Sequence, residues 1–151
     1  NREYPDHPRV GVGAVVLRDG RILLVRRGAA PARGLWSIPG GGLRLGETLQ
    51  QGAEREIREE TGIVIHAGAP LFVCDSLDRD LEGRLRFHYV IVDMAAEYAG
   101  GELKAADDAL EARWVSPDEI RTLNVTKTTL KLLRQIAFLD PTSVAGGEVA
   151  S

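Results

Sequence analysis

Residues 41–63 constrain this chain more than any other stretch. They read Gly41-x5-Glu47-x7-Arg55-Glu56-Ile57-x-Glu59-Glu60-x-Gly62-Ile63. Glu56, Glu59 and Glu60 stand at i, i+3 and i+4, so a helix carries all three carboxylates on one face. Like charges this close repel, and a hard divalent cation such as Mg²⁺ neutralises such a cluster through oxygen ligands. The preceding Pro39-Gly40-Gly41-Gly42 is a turn whose backbone can come close to the same ion.

The frame around the acids predicts a helix over Leu49–Thr61. Thr48 is its N-cap, and Gln51 completes a capping-box pattern. Gly62 stands where a helix end takes a left-handed residue. Leu49, Ala53 and Ile57 recur at helical spacing and supply an apolar face. Gly52 runs against this, since a mid-helix glycine costs about 1 kcal/mol relative to alanine, and it marks a close backbone contact. A solvated helix face with i, i+4 ion pairs would explain Glu54 to Glu60 taken alone. Such a face needs neither the glycine turn nor Glu47 and Gly62 at set distances.

Elsewhere the pattern is that of one α/β domain, in keeping with 151 residues. Val10–Val16 and Arg21–Arg26 read as a hairpin around Asp19-Gly20. Gly11-Val12-Gly13 lacks the third glycine and the following helix of a dinucleotide loop, so it belongs to the strand. Further strands are expected at Trp36–Ile38, Ile63–His66, Leu71–Ser76, Arg84–Met94 and Glu111–Val115. A turn is expected at Glu97–Glu102, around Gly100-Gly101. Ser116-Pro117 starts a short helix to about Leu123, and Thr126–Phe138 reads as a final amphipathic helix. Residues 1–8 read as a loose arm, 9–138 as the domain, and 139–151 as a mobile tail.

Composition narrows the function classes. The net charge of −3 argues against a nucleic-acid polymer as partner, because such binders carry a basic surface. No apolar run approaches the ~20 residues of a membrane span, and no charged-then-apolar leader is visible. Cys74 is the single cysteine, which excludes an internal disulfide and points to a cytoplasmic, reducing compartment. It lies in the apolar run Leu71-Phe72-Val73-Cys74 and reads as a small buried residue rather than a nucleophile.

With these residues in view, the chain resembles the Nudix hydrolases. Every fixed position of that family's box is met, with Ile57 and Ile63 in its two aliphatic slots. The resemblance runs on through Leu24-Val25-Arg26-Arg27, Trp36-Ser37-Ile38-Pro39-Gly40-Gly41 and Ala112-Arg113-Trp114-Val115. Arg44 departs from it, since many relatives carry an acid there. The fold implied is a curved mixed β-sheet held between helices.

The resemblance also implies roles. Glu56, Glu59, Glu60 and the Gly40 carbonyl would hold Mg²⁺, with Mn²⁺ as its substitute, and Glu56 would also serve near the attacked water. Arg55 would hold Glu56 or Glu47, since its planar fork suits a carboxylate. Glu47 would stand behind the ion or at its outer edge. A distal acid is expected from Asp107, Asp108 or Glu111, with Asp108 preferred by its spacing from Trp114. Arg27 is preferred over Arg26 for the substrate phosphate, because neighbouring strand residues point to opposite faces. Trp36 would stack a base or fill the core, Asn124 would read a base or cap a helix, and His88 or Tyr89 would line the cleft.

The expected activity is Mg²⁺-dependent cleavage of a nucleoside diphosphate linked to another moiety, X, with ADP-ribose first. The alternatives are a nucleoside triphosphate pyrophosphohydrolase clearing oxidised or non-standard nucleotides, and a non-hydrolytic nucleotide sensor. Sensors of this kind usually lose box acids, and this chain keeps them. The expected partners are a small nucleotide and at most a second copy of the chain as a homodimer, with no nucleic-acid polymer and no membrane.

Overall fold

The computed structural model describes residues 2–139. The elements run β1 (Arg9–Arg18), β2 (Arg21–Arg27), β3 (Trp36–Ser37), β4 (Gly40–Gly42), α1 (Leu49–Thr61), β5 (Ile63–Arg79), β6 (Leu85–Gly101), β7 (Ala109–Val115), α2 (Pro117–Ile120) and α3 (Lys127–Gln135). Asp19 and Gly20 both take positive φ, 52° and 75°, the backbone a two-residue hairpin needs to match strand twist.

β1 organises a mixed sheet of order β3-β2-β1-β6-β5, with β4 on β1 and β7 on β2. It runs parallel to β6 from Arg9 to Val16. On its other side Gly11–Gly13 pair with β4, whereas Leu17 and Arg18 pair with β2. β4 and β2 therefore leave β1 at different levels, and the sheet opens between them.

Strand alternation divides the apolar residues between two cores. Val12, Ala14, Val16, Leu23, Val92 and Met94 face α1, where they meet Ala53 and Ile57. Val15, Ile22, Leu24, Phe72 and Val115 face the other way and meet Ile120, Leu130 and Leu133 of α2 and α3. This is the α/β sandwich expected from the sequence. Along β1 the second face carries Gly11 and Gly13 in succession before Val15, so two neighbouring positions there have no side chain to fill the space.

The capping box of α1 is complete. The Thr48 hydroxyl accepts the Gln51 N–H at 3.1 Å, and the Gln51 side chain accepts the Thr48 N–H at 3.0 Å. Gly52 packs against Leu43, and a side chain there would meet its Cδ1 at 2.7 Å.

Several boundaries differ from the sequence reading. Ile63–His66 and Leu71–Ser76 are one strand, because register shifts around Ala67–Phe72 let pairing with β6 continue past Pro70. The turn expected at Glu97–Glu102 is instead the end of β6, with Gly100 and Gly101 opposite Val64 and Ile63. The two glycines absorb a register shift in the ladder rather than reversing the chain. α3 is shorter than expected and ends at Gln135.

The arm at residues 2–8 is tied down. The Tyr4 N–H donates to the Arg86 carbonyl at 2.7 Å, its hydroxyl donates to Asp80 at 3.0 Å, and Arg86 pairs with Glu3 at 2.7 Å. Leu139 packs in the core, and the rest of the expected tail lies outside the described residues. No helix among the described residues is long and apolar enough to cross a membrane.

Gly62 closes α1 at φ 75°, its N–H donating to Arg58 O at 3.0 Å. A Cβ there would also press into the Glu102 carbonyl oxygen. Gly62→Ala is expected to destabilise the fold by about 2 kcal/mol or more. Gly46, at φ 88° with open space around it, is the control, and Gly46→Ala should cost about 1 kcal/mol from the left-handed backbone alone. Urea denaturation of both variants reads the difference, and equal losses would leave the contact at Glu102 without effect.

Candidate active site

A cavity of about 320 Å³ opens on the glycine-lined face of β1. Its rim and walls draw on β4, α1, β6, the end of β2 and the start of α3. Of the residues singled out in the sequence, Arg27, Gly40, Glu56, Glu60, Asp108 and Tyr89 line it. Glu47, Arg55, Glu59, Trp36, His88 and Asn124 are not in the lining.

The glycine turn brings α1 to the cavity. The Gly40 N–H donates to Glu60 Oε1 at 2.9 Å. The Glu56 carboxylate lies directly against the Cα of Gly41, where any side chain would collide with it. Gly40 and Gly41 are at the same time strand residues paired with Gly13 and Val12, so the acids are fixed relative to β1.

Arg55, itself outside the lining, holds three of the acids. Its Nε and Nη2 donate to the two Glu47 oxygens at 2.6 and 2.9 Å, a bidentate pair. Its Nη1 donates to Glu56 at 2.6 Å and to Glu59 at 3.3 Å, and Nη2 also reaches the Gly42 carbonyl at 2.9 Å. Hydrogen bonding to Arg55 pulls the Glu47 carboxyl down to about 2. Glu59 also lies 3.7 Å from Arg44, the residue that departs from the family pattern.

Glu60 is the exception in charge. It is buried, and desolvation pushes its carboxyl up to about 8, with Glu56 and Asp108 adding to the rise and the Gly40 N–H and Arg27 opposing it. Arg27 is itself desolvated, which lowers its affinity for the proton. Its Nε donates to the Pro31 carbonyl at 2.7 Å. Arg26 turns the other way and pairs with Glu111 at 3.2 Å.

Three expected positions separate on the loop before β7. Asp108 lines the cavity, and its carbonyl accepts the Gly28 N–H at 2.7 Å. Glu111 is engaged with Arg26, and Asp107 makes the turn at φ 51°. Trp36 is 5% exposed among Ile22, Leu24 and Leu130, so its ring packs the core and is not open for stacking. The Asn124 carbonyl accepts the Trp36 N–H at 2.8 Å.

The NUDIX domain family matches residues 7–136. The chain belongs to the Nudix hydrolases. It is 40% identical over 108 residues to an ADP-ribose pyrophosphatase of Methanocaldococcus jannaschii, covering 72% of this chain and 62% of that protein. It is 30% identical over 137 residues to the nucleoside triphosphatase NudI of Escherichia coli, covering 83% of this chain and 94% of the relative. The crystal structure of a MutT NUDIX hydrolase from Burkholderia pseudomallei superimposes with a TM-score of 0.74 at 34% identity, covering 87% of this chain and 99% of that one.

Nudix hydrolases generally use divalent metal ions. Here the donor set is all oxygen, which suits a hard cation. Glu60 is buried beside two further acids and has no full counter-charge, and a bound cation would supply one. Among the described residues no three acidic, histidine or cysteine side chains already converge as a metal cage, and Arg55 is bonded to both Glu56 and Glu59. The donors fit such an ion in kind.

The sequence reading did not single out Asp93, Ser37, Thr126, Thr128, Thr129 or Arg2, all of which line the cavity. Asp93 carried a signal, as the one charged residue in the apolar run Val90-Ile91-Val92-Asp93-Met94. The hydroxyls of α3 carried none, since Thr126 and Thr129 also read as ordinary capping residues.

In metal-free buffer Glu60 binds its proton more tightly in the folded chain, at about 8, than at its ordinary 4.5. The stability it contributes is complete below 4.5 and is lost as pH rises toward 8. Between pH 5 and 8 the chelated protein should lose roughly 2–4 kcal/mol from this group. Glu60→Gln should remove somewhat more than half of the total slope. Asp93, pushed up to about 7 by burial, accounts for a comparable share and keeps the rest. Urea titrations at several pH values in EDTA test this, and an unchanged slope in Glu60→Gln would exclude Glu60 as the source.

Proposed function

We propose that this Nudix protein is a Mg²⁺-dependent pyrophosphohydrolase that cleaves a nucleoside diphosphate linked to X, with ADP-ribose as the preferred substrate. The observation that carries the reading is one cavity receiving Glu56, Glu60, Asp108 and the Arg27 guanidinium together. Carboxylates alone would repel a diphosphate, and an arginine alone would bind it without cleaving it. The likeness to a relative named ADP-ribose pyrophosphatase supports the choice of substrate.

Glu56, Glu59 and Glu60, with the Gly40 carbonyl, are the groups that would hold Mg²⁺. When bound, that ion neutralises phosphate oxygens and makes water a better nucleophile. Arg27 binds the diphosphate and, being largely desolvated, interacts with it through a weakly screened charge. Asp108 accepts the proton of the attacking water. Glu56 is the alternative base. Arg55, held by its bidentate pair with Glu47, positions Glu56 from behind.

The nucleoside triphosphate reading is second. The match that covers 94% of a nucleoside triphosphatase supports it. A sensor role is least favoured, because all the box acids are retained.

Turnover of ADP-ribose to AMP and ribose 5-phosphate is expected with Mg²⁺ and should disappear in EDTA. Undiminished turnover in EDTA would sink the metal assignment. Release of pyrophosphate from triphosphates with ADP-ribose untouched would favour the second reading.

Asp108→Asn should lower kcat and kcat/KM together by about 10²–10⁴-fold with KM little changed. Glu111→Gln, which only breaks the pair with Arg26, should stay within a few-fold of wild type. Steady-state kinetics on both variants decides, and a silent Asp108→Asn would move the base to Glu56.

A further inference from the structure

Asp93 sits in the middle of β6, in register with Gly13 of β1 and Phe72 of β5. Its neighbours Val92 and Met94 belong to the core under α1, so its side chain projects from the opposite face, into the cavity wall. It is 7% exposed. Among the described residues no hydrogen bond or ion pair is made to its carboxyl, and burial alone raises its proton affinity. A buried carboxyl without a partner is costly, and such a group calls for an explanation.

A second acceptor stands beside it. A Cβ built on Gly13 would lie 2.6 Å from Asp93 Oδ1 and 2.6 Å from the Pro39 carbonyl oxygen. Both oxygens thus converge over one glycine, and both residues line the cavity. Pro39 O takes one N–H, from Ala14 at 3.3 Å, and a carbonyl has a second lone pair to offer. The patch offers acceptors and no cation. It repels phosphate and suits a group with N–H donors. The neighbouring walls, Ile38, Ile91 and Tyr89, are apolar or aromatic and suit a flat ring.

We infer that Asp93 reads the exocyclic amino group of the substrate's nucleobase, with the Pro39 carbonyl as its companion acceptor. The inference rests on the proposed function in one respect, that the diphosphate occupies the Arg27 and α1 end of the cavity and leaves the Asp93 end to the base. Asp93 would then be a specificity-determining residue for adenine, guanine or cytosine against hypoxanthine and uracil.

The test is calorimetric binding in EDTA, so that no turnover interferes, with ADP, GDP, CDP, IDP and UDP as probes. IDP lacks the amino group of both purines, and UDP lacks that of cytosine. The tightest binder should carry an amine and should bind at least about tenfold more tightly than its amine-free counterpart, since a site built to hydrogen-bond a group discriminates strongly against its loss. Asp93→Leu should bring the two to within about twofold by weakening the amine-bearing nucleotide. Asp93→Asn keeps an acceptor oxygen of the same reach and should retain part of the preference. Equal affinities in the wild type, absence of binding by every probe, or a preference that survives in a folded Asp93→Leu each overturn the inference. Hydrolysis is scored separately with Mg²⁺. A chain that discriminates the bases yet cleaves nothing keeps this inference and loses the proposed activity. One that cleaves without discriminating does the reverse.

Discussion

Arg55 stands inside a ring of acids, and the site is arranged around it. Five hydrogen bonds leave its guanidinium, to both oxygens of Glu47, to Glu56, to Glu59 and to the Gly42 carbonyl. Glu56, Glu59 and Glu60 stand within one turn and a fraction of α1, and without a cation among them their repulsion would oppose the helix. The planar fork satisfies several oxygens at once, which an ammonium could not do with the same geometry. Anchoring Glu47 and Gly42 also ties the loop before the helix to the helix itself. Glu60 alone escapes the clamp, held by a backbone N–H instead, and it is the acid whose ionisation is most opposed.

That arrangement requires backbone where side chains would ordinarily be. β4 is three glycines wedged between β1 and α1. The Glu56 carboxylate rests on Gly41, and Glu60 on the amide of Gly40. The same economy of side chains on β1, at Gly11 and Gly13, leaves the opposite face of the sheet unfilled, and the cavity occupies the space. Helix and cavity lie on different faces of the sheet. The acids reach the cavity because β4 and β2 part from β1 at different levels and leave an opening between them.

Much of this could be read from the residues in order. The capping box at Thr48 and Gln51, the left-handed Gly62 and the apolar stripe of α1 are local patterns, and local sterics decide them. Asp19-Gly20 likewise makes its hairpin by φ alone. Local pattern and structure part where pairing partners decide. Gly100-Gly101 carries every local mark of a turn, yet β6 continues because Ile63 and Val64 lie alongside to receive its hydrogen bonds. Pro70 should interrupt a strand, yet β5 passes it through shifted registers. The docked arm at Tyr4 and Glu3 depends on Asp80 and Arg86, far along the chain, and no local signal announces it.

The residues by themselves determined the box helix, its acids and its cap, because those depend on spacings within a single element. They also narrowed the candidates for a distal acid to three neighbours and for a phosphate-facing arginine to two. Which member of each set faces the cavity was decided only by the tertiary structure. Asp108 lines the cavity while Glu111 is taken by Arg26, and Arg27 turns inward where Arg26 does not, because strand pleat and register assign faces that composition cannot. Trp36 was open to a stacking role until α2 and α3 closed over it. Asp93 gained its place only when β6 was laid beside Gly13, since a buried acid is recognised by what surrounds it in space, and those surroundings come from three separate strands.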